Sequence, residues 1–339
     1  MNLPPKAAAA RARQRLYGAI RAYFEAEGFD EVETPNLVVA PGMEPHINLF
    51  ETTYVPETGV GTTRTLYLHS SPEYAMKRLL ASGWERIFQI GKVFRNGEVA
   101  KLHNPEFTML EFYRAHVTGH GPLLRDIEAF TLRAAEAIAG SHEVTVEGRT
   151  VRLDAPWERL TVAEAFRSRT GIELPMDGDA ELLRSRARAR GFDVDDALAT
   201  YDDIFFSIFL TAIEPTLGAT RPTFLVDYPA CMASLSRLRE DDPNVAERFE
   251  LYVAGLELAN GFFELNDAAE QRRRLVEEQE LRRSLGRPVY PLDERFLAAV
   301  GRMPPSAGVA VGLDRLLMIL GGFATIDEVL LFPLREELG

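Results

Sequence analysis

Cysteine is almost absent from this chain, which has one, Cys231, among 339 residues. A single cysteine excludes an internal disulfide, and no group of Cys and His residues has the spacing of a zinc site. The chain also has no apolar run of about 18 residues, the length that crosses a bilayer, and no hydrophobic signal core near its N-terminus. We therefore expect a globular, cytoplasmic protein that does not enter a membrane.

Basic residues are few relative to acids, since 38 Lys and Arg face 51 Asp and Glu and leave a net charge of −13. Phosphate backbones are bound chiefly by clustered Lys and Arg, so we expect no stable tRNA binding. A hydrophobic content of 46% over this length supports one large or two modest domains. Without repeats or low-complexity linkers, the sequence predicts one domain over 1–339, in which 141–221 is a poorly defined, insertion-like segment.

The most informative stretch runs from residue 94 to residue 113 and reads F-R-N-G-E and then H-N-P-E-F-T-M-L-E-F-Y. With a period of two residues, Phe107, Met109, Glu111 and Tyr113 share one face of a strand, so a carboxylate and a phenol project from an apolar surface. A carboxylate is rarely buried unless it is paired, so this face predicts a cationic partner. The alternative is an edge strand on which Glu111 reaches solvent.

This stretch resembles motif 2 of the class II aminoacyl-tRNA synthetases of the lysyl type, in which the arginine of F-R-N contacts the α-phosphate of ATP. In the correct order, residues 28–35 resemble motif 1, residues 249–265 resemble the metal and lysine segment, and residues 308–316 resemble motif 3. The similarity spans essentially the whole chain, and motif 1 is its weakly specific part. It implies an α+β fold, a class II catalytic core with an antiparallel sheet flanked by helices, and a homodimer formed through motif 1.

Lysyl-tRNA synthetases place an anticodon-binding OB domain before this core, whereas motif 1 here follows one N-terminal helix. A core of this length resembles the bacterial ligases that activate (R)-β-lysine with ATP and transfer it to a lysine side chain of elongation factor P. The resemblance implies that activity, ATP and Mg²⁺ as cofactors, and elongation factor P as the acceptor. The alternatives are a lysine-activating paralogue with another acceptor, tRNA or protein, and a non-catalytic synthetase-like regulator.

Activation is the attack of a carboxylate oxygen on the α-phosphorus of ATP, so arginines and Mg²⁺ are expected to carry the catalysis. By resemblance, Arg95 holds the α-phosphate and the incoming carboxylate, and Arg315 holds the γ-phosphate end and stacks near adenine. Outside their motifs, surface salt bridges would be the alternative for both. The resemblance places the other ATP contacts at Asn96, Gly97, Glu98, His103, Asn104, Phe107, Glu257, Leu258 and Gly312. The order Gly97-Glu98, where tRNA synthetases usually have Glu-Gly, leaves the adenine contact of Glu98 open.

The resemblance assigns Mg²⁺ to Glu250 and Glu257, and Mg²⁺ is normally held by one or two carboxylates together with phosphate oxygens. Seven residues apart on an ideal strand, these two side chains would face opposite sides of the sheet. We therefore predict a bulge or kink near Gly255 that restores a common face. Two solvated acids on an edge strand are the alternative.

The implied substrate is a diamine with a carboxylate. By resemblance, Glu73 lies near the amine close to the carboxylate, and Asn260 contacts the carboxylate. By the same resemblance, the terminal ammonium is surrounded by Glu111, Tyr113 and Glu264. Ala310 replaces a glycine of the tRNA synthetases and would crowd an α-amino group, whereas an amine one carbon along could be accepted by Ser71 and Glu73. A methylene is worth about 1–3 kcal/mol, which predicts preference over α-lysine, not its exclusion. The substrate contacts are expected at Ser71, Pro72, Glu73, Glu111, Tyr113, Asn260, Glu264 and Ala310.

Overall fold

The structure is a computed structural model that describes residues 6–57 and 61–339. Its strands are β1 Asp30–Glu31, β2 Leu37–Val38, β3 Phe50–Tyr54, β4 Arg64–Leu68, β5 Arg86–Phe94, β6 Glu106–Ala115, β7 Glu143–Val146, β8 Arg149–Arg152, β9 Glu158–Thr161, β10 Thr223–Pro229, β11 Val245–Val253, β12 Leu256–Phe263 and β13 Ser306–Gly312. Its α-helices are α1 Ala7–Ala26, α2 Glu73–Leu80, α3 Gly121–Ala139, α4 Val162–Thr170, α5 Ala180–Ala189, α6 Tyr201–Ile208, α7 Ala268–Ser284, α8 Glu294–Val300, α9 Leu313–Gly321, α10 Ile326–Val329 and α11 Leu334–Leu338.

The largest sheet of the described ranges has eight strands in the order β1-β5-β6-β13-β12-β11-β10-β9. Within this order, all neighbouring strands from β5 to β10 are antiparallel. At the two edges, β1 pairs in parallel with β5, and β9 pairs in parallel with β10. Strands that are distant in sequence, such as β6 and β13, therefore become neighbours. The predicted α+β architecture, an antiparallel sheet flanked by helices, is confirmed.

One face of this sheet is covered by α1, α3 and α9, which share a continuous apolar core with its strands. In α1, the i, i+4 spacing of Leu16, Ile20 and Phe24 puts all three on one face, and all three are fully buried. Phe24 stacks on Phe88 of β5 with 4.7 Å between ring centroids. Burying each such side chain is worth about 1.5–3 kcal/mol. The apolar contacts are thus concentrated on one face, which leaves the other face of the strands for polar side chains.

The segment 141–221 contains the β7–β8 hairpin, strand β9, helices α4 to α6, a π-helix at Phe209–Ile213 and a 3₁₀ helix at Glu214–Thr216. Strand β9 extends the main sheet by pairing with β10. Side chains of α4 and α6, among them Phe166 and Phe205, build a separate apolar core with Leu225 of β10. That residues 1–339 form a single domain stays a prediction. No helix within residues 6–57 and 61–339 has the length and apolar character that crossing a membrane requires.

Candidate active site

A row of side chains crosses the sheet on the face opposite the helix-covered core. Glu111 of β6 pairs with Ala310 of β13, Ala310 with Asn260 of β12, and Asn260 with Glu250 of β11. Residues directly opposite each other in neighbouring strands project to the same face. Strand pairing therefore brings together residues from motif 2, motif 3 and the metal and lysine segment.

Glu111, which the alternation of side chains along β6 puts on this face, is buried and hydrogen-bonded. Glu111 is 1% exposed and accepts hydrogen bonds from the Tyr113 hydroxyl (2.6 Å) and the Ser71 hydroxyl (2.7 Å). The Ser71 oxygen in turn accepts from the backbone N–H of Glu73 (3.0 Å), at the first residue of α2. The predicted common face of Glu111 and Tyr113 is confirmed, and the edge-strand alternative for Glu111 is excluded because its carboxylate is buried.

A lysine that was not among the predicted site residues lies in the centre of this cluster. The Lys77 ammonium, on α2, lies 2.5 Å from Glu73 Oε1 and 2.6 Å from Glu264 Oε2, and Lys77 is 1% exposed. Burial alone would lower the pKa of Lys77, but Glu264 and Glu73 outweigh it and raise that pKa. A Glu and a Lys four residues apart on a helix normally indicate a solvent-exposed pair, so the sequence signal was present but ambiguous.

Two carboxyl groups of this cluster, Glu111 and Glu264, have raised pKa values. Burial and then the charge of Glu73 raise the pKa of Glu111 to about 8. Burial also raises the pKa of Glu264 to about 8, although Lys77 opposes the change. Neither buried carboxylate oxygen of Glu264 has a hydrogen-bond partner among the described residues, and Oε1, unlike Oε2, is not in the ion pair with Lys77 either. We call Glu73, Lys77, Glu111, Tyr113 and Glu264 the acid pocket, and its free acceptor atom and its excess of carboxylates suit cationic ligands.

Gly308 allows the acid pocket to close. It pairs with Tyr113 across β6 and β13, and a Cβ at this position would lie 2.0 Å from Tyr113 Cε1 and 2.5 Å from Glu264 Oε1. Both distances are far below van der Waals contact, and the pocket is built from large, buried groups. A side chain at this position is therefore incompatible with the observed arrangement.

A cavity of about 250 Å³ lies beside Asn260 and Ala310 and contains the residues expected to bind ATP. Two of those residues are not part of its lining: Asn96 is exposed and bridges to Asn48, and Gly97 has a left-handed φ of 91° in the adjoining turn. The other expected ATP-binding residues do line the cavity, namely Arg95, Glu98, His103, Asn104, Phe107, Glu257, Leu258, Gly312 and Arg315.

The two motif arginines differ in how much of their hydrogen-bonding capacity the protein uses. Arg315 donates to the backbone oxygen of Glu257 (2.9 Å), and its Nη2 lies 2.6 Å from His103 Nε2. Burial and the Arg315 charge lower the pKa of His103, so the ring is neutral and accepts this bond. Arg95 instead stacks over the Phe107 ring (5.2 Å to its centroid), and its buried Nε has no partner among the described residues. Arg95 is therefore the arginine that is free to bind an anion.

The predicted irregularity between the two metal-assigned acids is confirmed, and it lies just after Gly255. Leu251 pairs with Ala259 and Tyr252 with Glu257, so Leu258 is an extra residue in β12. This bulge turns Glu257 to the face that carries Glu250. Burial and then Glu250 raise the pKa of Glu257 to about 7, as expected for two close carboxylates.

Glu250 is held by three protein donors. Its Oε1 accepts from Arg248 Nη2 (2.6 Å), and its Oε2 accepts from the hydroxyls of Tyr228 and Tyr252 (both 2.6 Å). Glu257, in contrast, lines the cavity. A divalent cation would relieve the repulsion that raises the pKa of Glu257, so this pair fits Mg²⁺ with Glu257 as the ligand that reaches the cavity.

The structure adds two acids that no sequence pattern indicated. Glu44 lines both the 250 Å³ cavity and a second cavity of about 440 Å³, whose walls include Glu278 and the predicted Ser71, Pro72 and Glu73. Burial raises the pKa of Glu44, and burial followed by the charge of Glu44 raises that of Glu278 to about 8. The acid pocket and the ATP cavity are thus joined by a third acidic region.

The chain is similar to one protein family and to several proteins of known name. The family model of class II tRNA synthetases (D, K and N) matches residues 4–336. The elongation factor P–(R)-β-lysine ligase of Proteus mirabilis is 38% identical over 323 residues, covering 95% of this chain and 93% of that protein. The ligase of the same name from Hamiltonella defensa is 36% identical, covering 96% and 94%. The lysine–tRNA ligase of Carboxydothermus hydrogenoformans is 34% identical, and the matched region is 95% of this chain but 64% of that protein.

Proposed function

Since the chain belongs to the class II tRNA synthetases of the D, K and N type, we propose that it is an ATP-dependent ligase that activates (R)-β-lysine and transfers it to a lysine side chain of elongation factor P. The observation that carries this proposal is the acid pocket, whose Glu111 pairs with Ala310 in the wall of the cavity that also contains Arg95, an arginine whose buried Nε has no partner among the described residues. That arrangement suits a diamine with a carboxylate. The relatives at 36–38% identity that are named for this activity support the choice.

The substrate binds with its two ammonium groups in separate parts of the acid pocket. Glu73 and Ser71 hold the amine close to the carboxylate, whereas Glu111, Tyr113 and Glu264 surround the terminal ammonium. Each buried charge then has a partner of opposite sign, which a neutral amino acid would not provide. Asn260, on the same face as Glu111 and Ala310, holds the substrate carboxylate at the border of the ATP cavity.

Adenylate formation needs alignment and charge neutralisation. Arg95 contacts the α-phosphate and draws the carboxylate oxygen towards the phosphorus, while the cavity restricts both anions to one orientation. Arg315 holds the loop at Leu102 and His103 against the bulged strand and so shapes the phosphate end of the site. Mg²⁺, held by Glu257 with Glu250 behind it, would supply further positive charge to the phosphates.

In the second step, the neutral amine of the acceptor lysine attacks the carbonyl carbon of the adenylate. An amide bond forms, the bond from that carbon to the phosphate oxygen breaks, AMP leaves and the amine loses a proton. No protein nucleophile is required. The net charge of −13 argues against a tRNA acceptor, so we propose elongation factor P as the acceptor and the cytoplasm as the place of the reaction.

The test is ATP–pyrophosphate exchange with (R)-β-lysine, (S)-β-lysine and α-lysine offered separately, followed by mass spectrometry of elongation factor P after incubation. We expect the fastest exchange with (R)-β-lysine and a mass increase of one lysyl group on the factor. Fastest exchange with α-lysine and an unmodified factor would indicate a lysine-activating paralogue with another acceptor. No exchange with any substrate would indicate a non-catalytic regulator.

Replacing Ala310 by glycine should weaken the preference for β-lysine. Ala310 is half-buried between Glu111 and Asn260, where its methyl group reduces the space for an α-amino group. A change of about one methylene is worth roughly tenfold or more in discrimination, so the kcat/KM ratio of (R)-β-lysine to α-lysine should fall about tenfold. Ala307→Gly, in the same strand but facing the apolar core, is the control for a glycine in β13 and should leave the ratio unchanged.

Activation by the unmodified protein should become more efficient as the pH rises towards 8. Burial first, with Glu73 adding to it at Glu111, raises the pKa of both Glu111 and Glu264 to about 8. These acids bind ammonium groups only when ionised, and the ionised fraction grows as the pH rises through that pKa. The measurement is kcat/KM for (R)-β-lysine between pH 6 and pH 9. A flat profile would contradict the role of these two acids.

We propose in addition a homodimer formed through motif 1, residues 28–35, as the family resemblance implies. Leu37 and Val39, which follow this motif, are 44% and 58% exposed, and such apolar side chains suit an interface. Sedimentation equilibrium should give twice the mass of one chain. A monomer at micromolar concentration would contradict this proposal.

A further inference from the structure

Lys77 is a buried cation in a pocket that we propose to bind cations. From its own helix, Glu73 faces the ammonium at 2.5 Å, and from the end of β12, Glu264 faces it at 2.6 Å. From β6, Glu111 lies close enough for the Lys77 charge to lower its pKa, and Tyr113 donates a hydrogen bond to Glu111. A lysine in this position competes with the substrate for the same carboxylates, so it needs a reason to be there.

Formal charges supply that reason. When the three carboxylates Glu73, Glu111 and Glu264 are all ionised, they and the Lys77 ammonium give the pocket a charge of −3 + 1 = −2. A diamino acid brings two ammonium groups into the pocket, while its carboxylate faces Arg95 outside it. The sum of pocket and substrate amines is then zero, and every charge has a partner of opposite sign.

We infer that Lys77 is a positioning residue that sets the charge of the acid pocket to match two substrate ammonium groups and holds Glu73 and Glu264 in place between them. This inference rests on the proposed diamine substrate. Lys77 spans the two acids with one Nζ and leaves Glu264 Oε1 without a partner among the described residues, free to accept from the substrate. It thereby assigns one carboxylate oxygen of Glu264 to the protein and the other to the ligand.

Loss of the Lys77 charge should change the protonation of the pocket. Burial already raises the pKa of Glu111 and Glu264 while Lys77 opposes the change, so removing Lys77 raises the pKa of these acids further and a proton stays in the pocket up to a higher pH. Two incoming ammonium groups must then displace that proton. At one pH unit below a pKa, only about one carboxyl group in ten is ionised, so the cost of removing the proton grows as the pH falls.

If Lys77 served only to pack α2, replacing it would have a different effect on the pH profile. Lys77 is one of the buried residues of α2, together with Met76 and Leu80. An apolar side chain of equal length would fill the same space. If packing were its whole role, Lys77→Met would change stability or kcat by a constant factor at every pH. The pH profile is therefore the measurement that separates the two roles.

The experiment measures kcat/KM for (R)-β-lysine in ATP–pyrophosphate exchange from pH 6 to pH 10 for four variants. Lys77→Met should move the midpoint of the profile up by about one pH unit and raise KM about tenfold at pH 7. Glu73→Gln, which makes the pocket less negative, should move the midpoint down. The double variant Lys77→Met/Glu73→Gln restores a pocket charge of −2 and should return the midpoint towards that of the unmodified protein.

Lys77→Arg keeps the charge and should keep the midpoint, whatever it does to KM. The substrate amines titrate identically for all variants, so differences between midpoints report on the protein. An unshifted midpoint in Lys77→Met would overturn the inference, and so would a failure of the double variant to recover. Should Lys77→Met not fold, the test rests on the other two variants: Glu73→Gln should move the midpoint down, and adding Lys77→Met to it should move the midpoint back up. Absence of exchange by the unmodified protein would instead overturn the proposed function.

Discussion

Glu264→Gln should reduce kcat/KM for (R)-β-lysine activation by a factor of several hundred. Glu264 is 1% exposed and provides both the partner of Lys77 and the free acceptor for the terminal ammonium. Removing one partner of a buried ion pair costs about 3–5 kcal/mol, and each 1.4 kcal/mol is about tenfold in binding. Glutamine keeps the shape of the side chain but leaves the two ammonium groups facing a neutral amide.

The measurement is ATP–pyrophosphate exchange with titration of (R)-β-lysine, together with the affinity for ATP in the absence of amino acid. ATP binding should remain, because Glu264 is not part of the lining of the cavity that contains Arg95. Glu128→Gln is the matched control: Glu128 is also buried, accepts a hydrogen bond from the Trp157 backbone N–H, and lies on α3 in the helix layer. A loss below about tenfold in Glu264→Gln would contradict the placement of the terminal ammonium.

The strand carrying Glu111 was predictable because a strand has one simple rule. Its side chains alternate, so Glu111 and Tyr113 had to share a face, and the hydrogen bond between them at 2.6 Å follows from that geometry. The sequence alone did not establish that this face is buried, because an edge strand with a solvent-exposed face would have the same pattern of residues. What decides the matter is the pairing of β6 with β13, a contact between residues about 200 positions apart.

Chemical reasoning predicted that β12 has a bulge, but it did not predict the position of that bulge. Two acids with a common ligand need a common face, so their odd spacing required an extra residue somewhere between them. The turn at Ala254 and Gly255, which have φ values of 53° and 79°, is of the type that links twisted hairpin strands, and it fixes the pairing of Tyr252 with Glu257. The extra residue therefore falls at Leu258. The sequence alone did not reveal this position because the turn type depends on positive φ at a non-glycine residue.

Lys77, Glu44 and Glu278 show what single-sequence reasoning leaves out. A Glu and a Lys one helical turn apart occur mostly on solvated faces, and it is the packing of α2 against α8 and β6 that buries Lys77. Glu44 and Glu278 come from a loop and from the charged helix α7, where acids are usual. Their significance arises from a shared cavity, which no local pattern encodes.

Arg95→Lys should reduce kcat for adenylate formation by about 10²–10³-fold, the loss seen when one preorganised donor to a developing anion is removed. The planar guanidinium offers two parallel N–H donors to a phosphate, and a lysine keeps the charge but not this fork. Arg95 is suited to this role because its Nε has no partner among the described residues and its nearest acid, Glu98, is 4.0 Å away.

The same contacts predict that the fold will not change. Arg95 contributes a contact over the Phe107 ring and one long ion pair at a half-exposed position, and such surface pairs are worth about 0–1 kcal/mol. The unfolding temperature of Arg95→Lys should therefore equal that of the unmodified protein, as should that of Arg167→Lys, an exposed control on α4 that keeps full activity. The measurement is single-turnover adenylate formation, which separates ATP binding from the chemical step. A rise in KM for ATP with an unchanged kcat would mean that Arg95 binds ATP equally in the ground state and the transition state. Arg95 would then have no role in the catalytic step.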